Sequence, residues 1–173
     1  KVKNLRERHR RLKGRSSTKP SSLKSIIPVF KGPWNTCGVG EGQVDTVAHC
    51  GTNLSGDSTF SLCFVDAATY WTVPRAQWNK GQHATVESLI AIGKRVPFPL
   101  KMLHPDSGGE FINWVAKGWC DSQGIAMTRS ESNHKNDNMF VEERNGHVVR
   151  RYLAYDRLDK PELVPLINDL YDV

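Results

Sequence analysis

From residue 43 onward the sequence sets an order of elements: three strand-like runs, a helix, a strand, a helix, a short strand and a long helix. VDTVAHC (44–50) and the runs 59–65 and 70–76 are rich in β-branched and aromatic residues. A tight turn at Asp66–Ala68 joins the last two, so the three predict an antiparallel meander. KGQHATVESLIAIGKR (80–95) has a helical pattern with Val86, Leu89, Ile90 and Gly93 on one side. PFPLKMLH predicts a fourth strand ending just before Asp106. Residues 110–123 predict a helix with Phe111, Trp114, Val115 and Gly118 at helical spacing, and GIAMTRS a fifth strand. A polar loop, SESNHKNDN, leads into a helix over 138–155. That helix places Val141, Val148 and Tyr152 on one stripe, and Asn138, Glu142, Asn145 and Val149 on its neighbour. Residues 160–171 predict a last short helix. The order implies an α/β fold, a five-stranded mixed sheet flanked by helices, with ligands gathering at strand ends.

Charge divides the chain unevenly. Residues 1–25 hold ten Lys/Arg and one acid, Glu7, whereas the remainder has 14 basic and 17 acidic residues. The arm is therefore +9 and the body −3. A basic arm of this kind suits a phosphate backbone. Within it, residues 4–13 predict a charged helix and GRSSTKPSS a flexible linker. Residues 25–42, with two prolines and four glycines, predict an extended path over the surface. The first residue is Lys1, not Met, which reads as a part cut from a longer protein.

Cys37, Cys50, Cys63 and Cys120 form no CxxC pair, which argues against a structural zinc site or a disulfide scaffold. His49 and Cys50 are strand neighbours and point to opposite faces, so they do not share an ion. No signal-peptide pattern and no apolar run near 18 residues is present, so the expectation is a cytoplasmic protein with no membrane partner. The five tryptophans show no aromatic ladder and are expected in the core or at interfaces rather than as base-stacking platforms.

Three acids stand in settings that would hold a carboxylate still: Asp45 inside an apolar strand, Asp106 at a strand end before Ser-Gly-Gly, and Glu142 on a helix beside Asn138 and Asn145. The 35 residues between Asp106 and Glu142 carry little weight, because chance gives about 1.5 acidic pairs at any such separation. Each acid also has an ordinary reading: a solvent-facing strand residue, a turn acid, a solvated helix residue. Glu143 competes with Glu142, about 100° away around the helix. Three fixed carboxylates would suit two hard divalent ions, Mg2+ or Mn2+, and two such ions suit phosphodiester chemistry.

The segments GQVDTVAHCG, FVDAATYWTVPRA, DSGGEFIN and TRSESNHKNDNMFVEERNGHVVRRYLAYDRLD resemble, in order, the catalytic core of the retroviral-type integrases and bacterial insertion-sequence transposases, the D,D-35-E family. The stretch from Thr128 to Asp159 looks especially like the bacterial branch, which implies a bacterial source. The resemblance covers roughly residues 40–160. It implies an RNase H-like fold and divides the chain into a basic arm and linker (1–40), an integrase-type catalytic core (41–160) and a helical extension (161–173).

The resemblance also gives the catalytic and metal-binding roles to Asp45, Asp106 and Glu142, choosing Glu142 over Glu143 because Asn145 follows at the family's offset. Where many members have Asp-Asn-Gly, this chain has Asp106-Ser107-Gly108. The implied activity is that of a metal-dependent polynucleotidyl transferase, which cleaves DNA at element ends and joins the 3′-OH strand to target DNA. Its partners would be double-stranded DNA and a second copy of itself in a dimer or larger assembly. A helix-turn-helix region ahead of Lys1 is a further expectation. Candidate DNA contacts are Lys135, Asn138, Arg144 and Asn145, with Arg150 and Arg151 further along the same helix. The rival readings are an RNase H-like nuclease or resolvase that only hydrolyses, and a DNA-binding or assembly module without catalysis.

Overall fold

The computed structural model describes residues 22–53, 55–130 and 138–173. The helix expected over 4–13, its linker and most of the loop before Asn138, Lys135 included, lie outside the described residues. A short helix α1 (Leu23–Ile26) and a 3-10 turn (Trp34–Thr36) precede the sheet, where the sequence suggested only an extended path. Leu23 and Ile27 are buried in the main core.

Five strands form one sheet: β1 (Glu41–Ala48), β2 (Thr59–Asp66), β3 (Thr72–Trp78), β4 (Met102–Pro105) and β5 (Ala126–Met127), in the order β3-β2-β1-β4-β5. The meander β1-β2-β3 is antiparallel, while β4 runs parallel to β1 and β5 parallel to β4. Helices α2 (Gln82–Arg95) and α3 (Trp114–Ser122) supply the crossovers, as parallel neighbours require.

The two-residue alternation of β1 explains why an apolar strand carries an acid. Val44 pairs with Phe64, and Asp45 with Cys63. Val44, Leu62, Phe64 and Val73 join Val86, Leu89 and Ile92 of α2 and Ala116 and Cys120 of α3 in the main core. The opposite face carries a smaller cluster, Cys63, Val65 and Val141 with Phe140 packed against it. Asp45 points to that second face, under the helix that follows Asn138.

That helix departs from the predicted one. It is α-helical over Met139–Arg144 (α4), π-helical over Asn145–Arg150, and α-helical again over Arg151–Leu153 (α5). It stops at Ala154, whose φ of 51° ends the helical path. The wider π turn moves the inward face to Val141, Asn145 and Val149, all buried, and leaves Tyr152 65% exposed. The stripe expected through Val148 and Tyr152 is thereby corrected. Similarly, α2 buries Ile92 rather than Ile90 or Gly93, because a helix tucked on a sheet shows it one narrow stripe.

Strand β4 is shorter than PFPLKMLH suggested, since Pro97 and Pro99 lack ladder donors. Helix α3 begins later than Glu110, at Trp114, where the Asn113 side chain accepts from Ala116 N at 2.9 Å. Phe111 and Ile112 still enter the core, from the turn before the helix. All five tryptophans are at least partly exposed. Trp114 is 61% and Trp71 49% exposed, whereas Trp119 packs against the main core.

The last helix, α6 (Leu163–Tyr171), lies along β3. Asn168 Oδ1 accepts from Ala76 N (2.8 Å) and its Nδ2 donates to Ala76 O (3.1 Å), so a side-chain amide closes the open edge of the sheet. Among the described residues no helix is long and apolar enough to cross a membrane.

Candidate active site

The parallel register of β1 and β4 brings the first two acids together. The last registered pair is Val44 with Pro105, and the next residue on each chain is an aspartate, Asp45 and Asp106. Asp45 Oδ1 accepts from Thr46 N at 2.8 Å, and its Oδ2 from Asn145 Nδ2 at 2.9 Å. Asp106 Oδ1 accepts from Gly108 N at 2.9 Å, a local Asp turn that fixes its rotamer. The strand end beneath Asp106 is anchored by buried His104, whose ring nitrogens meet Thr128 Oγ1 (2.8 Å) and Ser130 Oγ (3.1 Å). Ser107 Oγ donates to Ser130 O at 3.2 Å.

Glu142 is exposed on α4, as is Glu143. The Glu142 charge reaches Asp45. Burial pushes the Asp45 carboxyl up to about 6, against the opposing Thr46 N–H, and the charges of Asp106, Glu142 and Glu110 add to the rise. Asp106 is also raised, by burial first and then by Glu110, against the Gly108 N–H, Lys80 and Lys24. These carboxylates share one electrostatic site.

Glu110 was not singled out in the sequence. Its Oε1 accepts from Thr46 Oγ1 at 3.2 Å and lies 3.9 Å from Lys80 Nζ. A Cβ on Gly108 would stand 2.6 Å from Glu110 Oε2 and 2.8 Å from Asp106 Oδ1. Glycine therefore keeps open a small cradle between two carboxylates. The signal was an acid immediately after the paired glycines of DSGGE, read there only as the start of a helix.

The proposed DNA contacts are placed unequally. Asn145 is buried and commits its amide to Asp45. Asn138 is buried too, with its Oδ1 lacking a hydrogen-bond partner. Arg144 is half-buried with its guanidinium 6.0 Å from the Tyr70 ring centroid. Arg150 is structural: it donates to Ala48 O (3.0 Å) and Ala154 O (3.2 Å) and lies over the Tyr155 ring. Arg151 is exposed.

Among the described residues no group of three His, Cys, Asp or Glu side chains is drawn close enough to hold a metal ion. The donor set nonetheless fits a hard divalent cation: carboxylate oxygens only, two of them flanking an open cradle, with Asp45 raised first by burial and then by negative neighbours that a cation would neutralise. Glu142 would have to swing inward to complete the set.

No family model matches the chain. The "Uncharacterized protein y4rM" of Sinorhizobium fredii (strain NBRC 101917 / NGR234) is 36% identical over 154 residues, which are 88% of this chain and 44% of that protein. The chain thus spans less than half the length of this curated relative. Among solved structures, the catalytic core domain of BIV integrase superposes with a TM-score of 0.54 over 68% of this chain and 72% of that one, at 17% identity. At that identity the likeness is one of fold. The α/β architecture with its five-stranded mixed sheet is similar in fold to that integrase core, as the resemblance implied.

Proposed function

We propose that this chain is the catalytic domain of a DNA transposase or integrase, a polynucleotidyl transferase that cleaves element ends and joins the freed 3′-OH strand to target DNA. The observation that carries the reading is the register that sets Asp45 beside Asp106 where the parallel pairing of β1 and β4 ends, with the Glu142 helix tied to β1 by Asn145. That is where open α/β sheets place their ligands.

Asp45, Asp106 and Glu142 would hold the ions, Mg2+ or Mn2+. When bound, these ions would supply charge neutralisation at the scissile phosphate and acidify the attacking water or 3′-hydroxyl. The chain's own residues set the stage. Thr46 N–H and Asn145 orient the two oxygens of Asp45, Gly108 N–H orients Asp106, and Glu110 adds a fourth negative charge beside them. No side-chain nucleophile is needed. Cys63 and Cys120, the buried thiols, are pushed up to about 12 by burial and stay protonated. Double-stranded DNA is the partner, gripped through the basic arm and Arg144. Two DNA ends must be joined together, so the working form is a dimer or larger assembly.

The test incubates the full-length protein with its element-end DNA and a target plasmid in Mg2+. Joined products support strand transfer. Nicks without joining would reassign the protein to a hydrolytic nuclease. Equal inactivity of wild type and Asp106→Asn would sink the catalytic reading.

A further inference from the structure

Helix α4 is capped from outside its own chain segment. The first N–H groups of a helix have no partner within it. The residue before α4, Asn138, makes no side-chain cap bond. Instead the Gln43 side chain, fully buried on β1, offers its Oε1 to two successive helix N–H groups, Phe140 N at 3.0 Å and Val141 N at 3.1 Å. Gln43 stands two residues before Asp45, on the same face of the same strand. One turn later Asn145 returns a bond to Asp45 Oδ2. The same strand therefore grips two successive turns of the helix, and Glu142 lies between the grips.

We infer that Gln43 is a positioning residue: by capping α4 in trans it fixes the height and rotation of Glu142 relative to Asp45, and so sets the geometry with which the acids receive a divalent cation. This rests on the metal-dependent reading of Asp45, Asp106 and Glu142. Three features of the structure support it. The capped N–H groups belong to the two residues immediately before Glu142, so any slip of the cap moves Glu142 directly. The next turn is π-helical, a form whose wider ring has poorer intrinsic stability and gathers at functional sites, so the helix relies on outside ties. The apolar cluster under α4 is small, Cys63, Val65 and Val141 with Phe140, and gives little packing to fix the register alone.

Gln43→Met keeps the volume and removes the acceptor. Two readouts apply to the whole chain, amide hydrogen exchange and the Mn2+ concentration at the midpoint of the metal-induced rise in melting temperature. The expected result is exchange at least about tenfold faster at Phe140 and Val141, with β2 and β3 amides unchanged, and a Mn2+ midpoint raised about tenfold, the usual scale for a group that orients a metal ligand. Combined with Glu142→Gln, it should add nothing further, because both changes remove the same placed carboxylate. Unchanged exchange at the two amides, or effects of the two substitutions that multiply, would overturn the inference. If Gln43→Met does not fold, Gln43→Asn, too short to reach the helix, is held to the same two outcomes. A Mn2+ shift lost in Glu142→Gln and kept in Gln43→Met removes this inference alone. A wild type with no Mn2+ shift removes the metal reading and this inference with it.

Discussion

Asn145 Nδ2 donates to Asp45 Oδ2 at 2.9 Å, joining a helix to a strand a hundred residues earlier in the chain. The bond explains the asparagine on a face that otherwise buries Val141 and Val149. A half-buried carboxylate gains from a donor, and the helix supplies it.

Replacing Asn145 by alanine takes that donor away from a half-buried carboxylate, which should cost about 1 kcal/mol. The expected outcome is a lower urea midpoint with an unchanged m-value. Asp45 should rise further still above its present level of about 6, visible as a shifted carboxyl titration by NMR. An unchanged midpoint would mean that water serves Asp45 as well as Asn145 does.

Metal-free stability should fall as pH rises through the Asp45 titration. Its carboxyl is raised from 3.8 to about 6 in the folded protein, so between those values the folded state binds the proton more tightly than the unfolded chain. The stabilising contribution is complete below about pH 4 and is lost by about pH 7. Asp45→Asn removes this slope. Measured without metal at pH 7.5, the variant should be more stable than wild type by about 1–3 kcal/mol, and the gap should close near pH 4. A gap that persists at pH 4 would point to packing rather than charge.

The sheet was legible because each strand announced itself by composition, and the position of Asp106 followed from a strand ending against Ser-Gly-Gly. The helix after Asn138 was legible too, but its inward stripe was not, because its π turn changes the period on which a stripe calculation depends. A polar Asn145 also gave no sign that it faced inward. Gln43 and Thr46 were missed for a related reason. Their roles lie in bonds to residues 98 and 64 positions away, Val141 and Glu110, and no local pattern marks a partner that far off. Trp71, in the exposed β2–β3 turn, and Trp114, at an exposed helix start, lie outside the core, while Trp119 packs against it.

Gly108 and Glu110 give a prediction that separates site from scaffold. A methyl at Gly108 would crowd two carboxylate oxygens rather than backbone, and the longer Glu110 side chain can swing away while Asp106 shifts by a few tenths of an ångström. Gly108→Ala should therefore leave stability within about 0.5 kcal/mol while raising the Mn2+ midpoint about tenfold or more. Glu110→Gln keeps the Thr46 bond but removes one negative neighbour of Asp106, so the Asp106 carboxyl should move down from its raised position. Carboxyl titration by NMR reads this directly. A Gly108→Ala protein that binds Mn2+ like wild type would show that the cradle is not where the ion sits.

Asn168 tests whether α6 is part of the folded unit. Its side chain satisfies both the N–H and the C=O of Ala76 on the edge strand β3. Asn168→Leu keeps the bulk but orphans two backbone groups under the helix, at a cost of about 2–4 kcal/mol. For a domain of this size that corresponds to a fall in melting temperature of roughly 5–15 °C. Asn168→Asp still accepts from Ala76 N but cannot donate to Ala76 O when ionised, so its melting point should lie between the two. Loss in the order wild type, Asp, Leu supports the edge-closing role. If Asp is as damaging as Leu, the Ala76 N–H bond contributes little and the helix is held by its apolar face, Ile167 foremost.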